Sequence, residues 1–125
     1  MSFGHIKIRP SDKLFREYLL KLKGEICECC GRKGRVEMSH FFGRRSENTR
    51  FSEVNVDVLC SGCHRKFHER PSEYNNWKLK KLGQKEFNKL TLEANRYKKR
   101  DDVMDLLVIK ELLKKLTTRP ATYKG

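Results

Sequence analysis

Two cysteine pairs of the form Cys-x2-Cys, Cys27 with Cys30 and Cys60 with Cys63, stand 30 residues apart and enclose a histidine and an asparagine, His40 and Asn55. Four thiolates in two such pairs can surround one zinc ion tetrahedrally, each at roughly 2.3 Å. Glycines adjoin both pairs, Gly31 and Gly62, which suits a tight turn around a metal. Cys29 is the spare thiol, because Cys27 and Cys29 are too closely spaced for the usual knuckle. A second ligand set, Cys27 and Cys30 with His64 and His68, would leave Cys60 and Cys63 unused. The zinc site is expected to be structural, tying together two loops and contributing directly to folding.

The histidines suggest a different chemistry. Asn55 follows His40 by 15 positions, His64 follows Asn55 by 9, and His68 follows His64 by 4. On a helix, residues i and i+4 share a face, so His64 and His68 can hold one divalent ion with positions left for water and a substrate oxygen. An imidazole titrating near neutrality suits proton abstraction from water, and His40 is the expected general base.

Charge points to the substrate. Lysine and arginine number 29 against 16 aspartate and glutamate, a formal net charge of +13. A polyanion is the natural partner of such a field, and the expected one is DNA. Hydrolysing its phosphodiester requires an activated water and neutralisation of charge on phosphate and leaving oxygen, which the histidines and a cation would supply.

The chain of 125 residues fits one domain, 1–125, with a modest core that benefits from a metal staple. Paired cysteines without a signal-like N-terminus suit a reducing, cytoplasmic setting. No apolar run is long enough for a membrane span, since charges interrupt the Leu-rich stretch from Val103 to Leu116. The expected fold class is α+β, a small zinc-stapled ββα unit flanked by helices at both ends. Ser11 is placed to cap a helix running to about Lys23, with Leu14, Phe15, Tyr18, Leu19 and Leu22 on one face. Alternation predicts short strands around Val36 to His40 and Val54 to Val58, separated by a polar loop from Gly43 to Ser52. A helix is expected from His64 until Pro71 stops it, giving a core of about 25–70. A helical extension over about 71–116 follows, with breaks at Gly83 and around Arg100, apolar contacts that include Tyr97, and a basic tail over 117–125. Asp101 or Asp102 is placed to cap the last helix.

The order His40, Asn55, His64 inside two Cys-x2-Cys pairs resembles the HNH endonucleases, over about Cys27 to Glu69. That resemblance implies a ββα-metal site in which His40 is the base and His64 a ligand of the catalytic ion. His68 matches the additional helix histidine of colicin-type members. Asn55 is expected to hydrogen-bond the backbone or ring near His40 and keep the imidazole aimed. Ser39 stands where many members carry an aspartate or histidine ligand, and a serine hydroxyl is a weak one. An ion held by two imidazoles and water favours manganese or another transition metal over magnesium. A wider stretch, about Asp12 to Gly83, is similar to the phage NinG/Rap recombination nucleases. It includes Asp12 to Tyr18, His40-Phe41-Phe42-Gly43-Arg44-Arg45, Thr49-Arg50-Phe51 and Pro71 to Tyr74. Membership would imply cleavage of branched DNA such as Holliday junctions, in the cytoplasm of a bacterial host.

Arg44, Arg45 and Arg50 in the inter-strand loop, with Arg65, Lys66 and Arg70 near the active helix, are expected to contact phosphates flanking the cut. The last helix carries Val103, Leu106, Leu107, Ile109, Leu112, Leu113 and Leu116, an apolar face that suits a homodimer. Two competing readings are a noncatalytic zinc-finger protein binding DNA or RNA, and an HNH nickase associated with phage DNA packaging.

Overall fold

The computed structural model describes residues 7–117, which form six helices and one two-stranded antiparallel sheet. The chain falls into two compact units, one from the two ends of the chain and one spanning Glu25–Lys99.

In the terminal unit, α1 (Pro10–Lys23) packs against α6 (Asp102–Thr117). Proline at the first helical position fits its fixed φ and missing N–H. The cap lies two positions before the serine. Arg9 is the N-cap, and its backbone N–H donates to the Asp12 carboxylate at 2.8 Å, while Ser11 is buried inside the first turn. Phe15, Tyr18 and Leu19 are buried on α1, as is Ile109 on α6. Asp101 caps α6 by accepting from the Met104 N–H at 3.0 Å. Residues 118–125 of the expected basic tail lie outside the described residues.

The Glu25–Lys99 unit is built around the sheet. β1 (Glu37–His40) pairs with β2 (Val56–Leu59) so that Ser39 faces Asp57 and His40 faces Val56. The connection is not simply a loop, since Glu47–Arg50 forms the short helix α2. Ser46 supports it, accepting a 2.7 Å hydrogen bond from the Thr49 hydroxyl. β2 leads through Cys60 directly into α3 (Ser61–Glu69). Proline at its first turn starts α4 (Pro71–Leu82), and Gly83, with φ +84°, turns the chain into α5 (Gln84–Ala94). Helix α5 stops at Ala94, short of Arg100, which leaves Tyr97 86 % exposed rather than packed.

Every residue of β2 is buried, an unusual state for an edge of a two-stranded sheet, and Asp57 lies among its valines and leucine. Lys78 of α4 is equally buried and meets the Asp57 carboxylate at 2.7 Å. Its ammonium also reaches the Val54 carbonyl at 2.5 Å. The Tyr74 hydroxyl donates to the other Asp57 oxygen at 2.7 Å, and Lys81 reaches Asp57 at 2.9 Å and Glu28 at 2.6 Å. Glu28 in turn accepts from the Val58 N–H at 2.7 Å. A buried carboxylate thus pins α4 and the cysteine loop to β2, with its charge compensated by two ammonium groups. Burial opposes the charge on Lys81, but the Asp57 and Glu28 carboxylates outweigh it and hold the ammonium above its ordinary pKa. Burial, reinforced by Asp57, pushes the Tyr74 hydroxyl up, so it keeps its proton and donates.

Candidate metal centre and histidine cleft

The two cysteine loops converge. The sulfurs of Cys27, Cys30, Cys60 and Cys63 all lie within 4.8 Å of one another. The Cys30 and Cys60 sulfurs are 3.8 Å apart, the edge of a tetrahedron with metal–sulfur bonds of about 2.3 Å. Each pair closes with the same local bond: Cys30 N–H to Cys27 Sγ at 3.5 Å, and Cys63 N–H to Cys60 Sγ at 3.4 Å. In the second pair that bond is also the N-cap of α3, so the sulfur that would bind metal starts the helix. Gly31, with φ +80°, lets the first loop turn back, and its N–H donates to the Cys27 carbonyl at 2.9 Å. Leu59 and Phe67 join Cys27 and Cys60 in an apolar cluster, with Trp77 packed against it.

The donor set fits zinc. Burial opposes the Cys27 thiolate, but backbone N–H groups of Cys30, Cys60 and Cys29 outweigh it and lower the thiol to about 6. Burial and the crowding sulfurs of Cys60, Cys27 and Cys30 push the Cys63 thiol up instead. Four sulfurs packed within 4.8 Å of one another are a set that a soft divalent cation would complete, displacing thiol protons as it binds. The clustered donors are the four cysteines, and the alternative with His64 and His68 replacing the second pair is not the arrangement found among the described residues. Cys29, half-buried, stands outside the four.

His40 ends β1, and its Nε2 lies 3.2 Å from the Arg50 carbonyl. A carbonyl only accepts, so that nitrogen carries a proton, and in the neutral ring Nδ1 is then the basic nitrogen. Asn55, fully buried ahead of β2, clasps the turn that follows His40. Its Oδ1 accepts from the Phe42 N–H at 2.8 Å, and its Nδ2 donates to the Phe42 and Thr49 carbonyls at 2.9 and 3.1 Å. These partners fix which way the amide points. Asn55 therefore holds backbone on both sides of the inter-strand connection, and through it the peptide next to His40.

His64 lies on the first turn of α3, with Nδ1 2.6 Å from Glu37 Oε1. Glu37 was not among the residues singled out from sequence. Only its place two residues before Ser39, on the same side of β1, hinted at it. Nδ1 being engaged, Nε2 of His64 is the nitrogen available to a ligand. His68, one turn on, is exposed. His40, His64 and His68 line one cleft of about 610 Å3, together with Ser39, Phe41, Phe42, Tyr74 and Phe87. His64 and His68 also line a smaller depression beside Glu37 and Arg65. Among the described residues the only three or more histidine, cysteine or carboxylate groups close enough to share a metal are the four cysteines.

Two expectations need correction or qualification. Arg50 is 1 % exposed, and its guanidinium donates to the Arg44 carbonyl at 3.0 Å, so it braces the connection from inside instead of meeting phosphate. Ser39 is 4 % exposed, and its hydroxyl lies 2.9 Å from Tyr74 Oη. Because the Tyr74 proton goes to Asp57, Ser39 donates to Tyr74, an engagement that competes with any role as ligand. Arg45, Arg65, Lys66 and Arg70 are exposed, with Arg70 3.2 Å from Glu73.

No known protein family, curated protein or solved structure matches this chain. No helix among the described residues is long and apolar enough to cross a membrane. The four-cysteine cluster and the histidine cleft therefore carry the functional argument alone.

Proposed function

We propose that this protein is a metal-dependent DNA endonuclease of the HNH type, with a structural zinc on Cys27, Cys30, Cys60 and Cys63. The observation that supports this best is the arrival of His40, from the end of β1, and His64, from the start of α3, in one cleft. An antiparallel hairpin followed by a helix, with Asn55 latching the turn after the first histidine, is the arrangement the HNH resemblance leads one to expect.

In this reading the Arg50 carbonyl holds the His40 proton on Nε2, so Nδ1 accepts a proton from the attacking water. Asn55 positions rather than reacts. Glu37 orients His64 as a ligand through the contact to Nδ1. A divalent cation on His64 and His68, when bound, would neutralise charge on the scissile phosphate and on the leaving 3′ oxygen. Two imidazoles as the protein's donors suit manganese, cobalt or nickel better than magnesium. Arg45, Arg65, Lys66 and Arg70 would hold flanking phosphates without reading sequence. The substrate expected from the NinG/Rap resemblance is branched DNA in phage recombination.

The test is to incubate wild type and His40→Ala with supercoiled plasmid and a four-way junction in the presence of Mg2+, Mn2+, Co2+ or Ni2+. Nicking by wild type that is lost in His40→Ala supports the proposal; equal nicking, or none with any ion, defeats it. A second reading, a noncatalytic zinc protein that binds DNA or RNA, is favoured by one observation: among the described residues the histidines do not form a closed ligand set with a third group. Binding by both proteins without nicking would establish that reading.

A further inference from the structure

The histidine cleft is more aromatic than phosphate chemistry requires. Phe41, Phe42, Phe87 and Tyr74 line it beside His40 and His64, and all four rings are only half-buried. Phe41 is the hub: its ring meets Phe42 and Tyr74 edge-on at 5.0 Å each and Phe87 at 5.7 Å. Edge-to-face packing sets neighbouring rings at steep angles, and one face of Tyr74 is already stacked on Phe67 at 4.6 Å, which leaves the phenylalanines as the rings a flat ligand would meet. Asn75, an exposed amide on α4, shares the lining and offers both a donor and an acceptor. A phosphate group has nothing to match the rings. A volume of about 610 Å3 lies within the range of small-ligand sites, roughly 300–1000 Å3.

We infer that this cleft receives one unpaired nucleobase, swung out of its stack next to the phosphate that the histidines address. The inference rests on the reading of the chain as a nucleic-acid protein, and the charge of +13 favours a polyanion as the carrier of that base. Aromatic rings receive bases of any identity by stacking, because every base has a π face, so the cleft would select for unpaired nucleotides and not for sequence. Extruding a base from intact duplex costs unstacking and unpairing, and least where the base is already unpaired. Junctions, bulges and single-stranded ends would therefore be preferred over regular duplex by the cost of extrusion.

The experiment measures binding of the zinc-loaded full chain without added magnesium or manganese, so that affinity is read apart from cleavage. Three fluorescent DNAs are compared: perfect duplex, a duplex with one bulged thymidine, and the same bulge as an abasic residue. The two bulged DNAs carry the same phosphates and differ in the base alone. The base-bearing bulge is expected to bind about 5- to 150-fold more tightly than the abasic one, the range of one base–aromatic stack. Phe87→Ala and Phe42→Ala should each reduce that ratio while leaving perfect-duplex affinity unchanged, with circular dichroism confirming that each variant is folded. Equal affinity for the two bulges in wild type overturns the inference and leaves the cleft to another occupant; so does a ratio retained in both folded variants. Nicking without base preference would remove the base site but leave the endonuclease, whereas base preference without nicking would do the reverse.

Discussion

Asn55 and Glu37 act through neighbours, and each can be separated experimentally from the histidine it serves. Asn55→Ala strips partners from the Phe42 N–H and from two carbonyls in a buried setting. We expect a loss of about 2–4 kcal/mol in urea unfolding, because each orphaned buried group costs about 1–3 kcal/mol and part is recovered by water. Asn55→Asp should recover little, since it keeps the acceptor for Phe42 N–H but sets a carboxylate against two carbonyl oxygens. Glu37→Gln tests a different link. It preserves size and removes the charge facing His64 Nδ1 at 2.6 Å. Calorimetric titration with Mn2+ or Co2+ should show affinity for the second site about 10- to 100-fold weaker, the usual consequence of losing a carboxylate behind a ligating histidine. Unchanged affinity would mean that His64 is not a ligand, or that Glu37 does not orient it.

At the level of elements, the cysteine cluster and the Asp57 network perform the same task from opposite ends of β2. The cluster fastens the start of α3, and the network fastens α4 and Glu28. Removing the proposed zinc should therefore cost the Glu25–Lys99 unit its cooperative unfolding. Wild type is expected to carry one zinc per chain by elemental analysis; Cys60→Ser should lose it and melt without a sharp transition, whereas Cys29→Ser should keep it and the wild-type Tm. Lys78→Met leaves the Asp57 carboxylate buried with one partner fewer, and breaking a buried pair in this way costs about 3–5 kcal/mol. How far these elements were legible follows from the kind of signal each left. The cysteine cluster was readable from spacing alone, because ligand geometry fixes spacing. Both strands and α3 were readable from alternation and from Pro71. The joining of Asp57 to Tyr74 and Lys78 was not, because Asp57 lies 17 and 21 residues before them and both it and Lys78 read locally as surface residues. An aspartate between two valines in β2 was the one local clue. Helix α2 was missed for a related reason: a Glu-Asn-Thr-Arg stretch has weak helical propensity, and it is held by α5 through Asn48 to the Glu93 carbonyl at 3.0 Å.

Over the whole molecule, net charge and the apolar stripe on α6 make separate predictions. Binding to duplex DNA should weaken linearly in log affinity against log salt, and Arg45→Ala or Arg65→Ala should each reduce the slope by about one. Arg50→Ala should instead destabilise the fold, because its guanidinium is a buried brace and not a phosphate contact. The stripe concerns assembly. Ile109 is 1 % exposed, yet Val103, Met104, Leu107 and Val108 are about half exposed or more and follow one another along one side of α6. Residues i, i+1, i+4 and i+5 lie side by side on a helix, and we propose that a second copy covers them in a two-fold symmetric pair, to which a junction with two equivalent strands would give a use. We expect light scattering to return twice the 14.8 kDa chain mass at micromolar concentration, and Leu107→Glu to return a monomer with an unchanged Tm. A wild-type monomer at every concentration would refute the pair. A Leu107→Glu chain that unfolds would instead show that this side of α6 is needed to stabilise the chain itself.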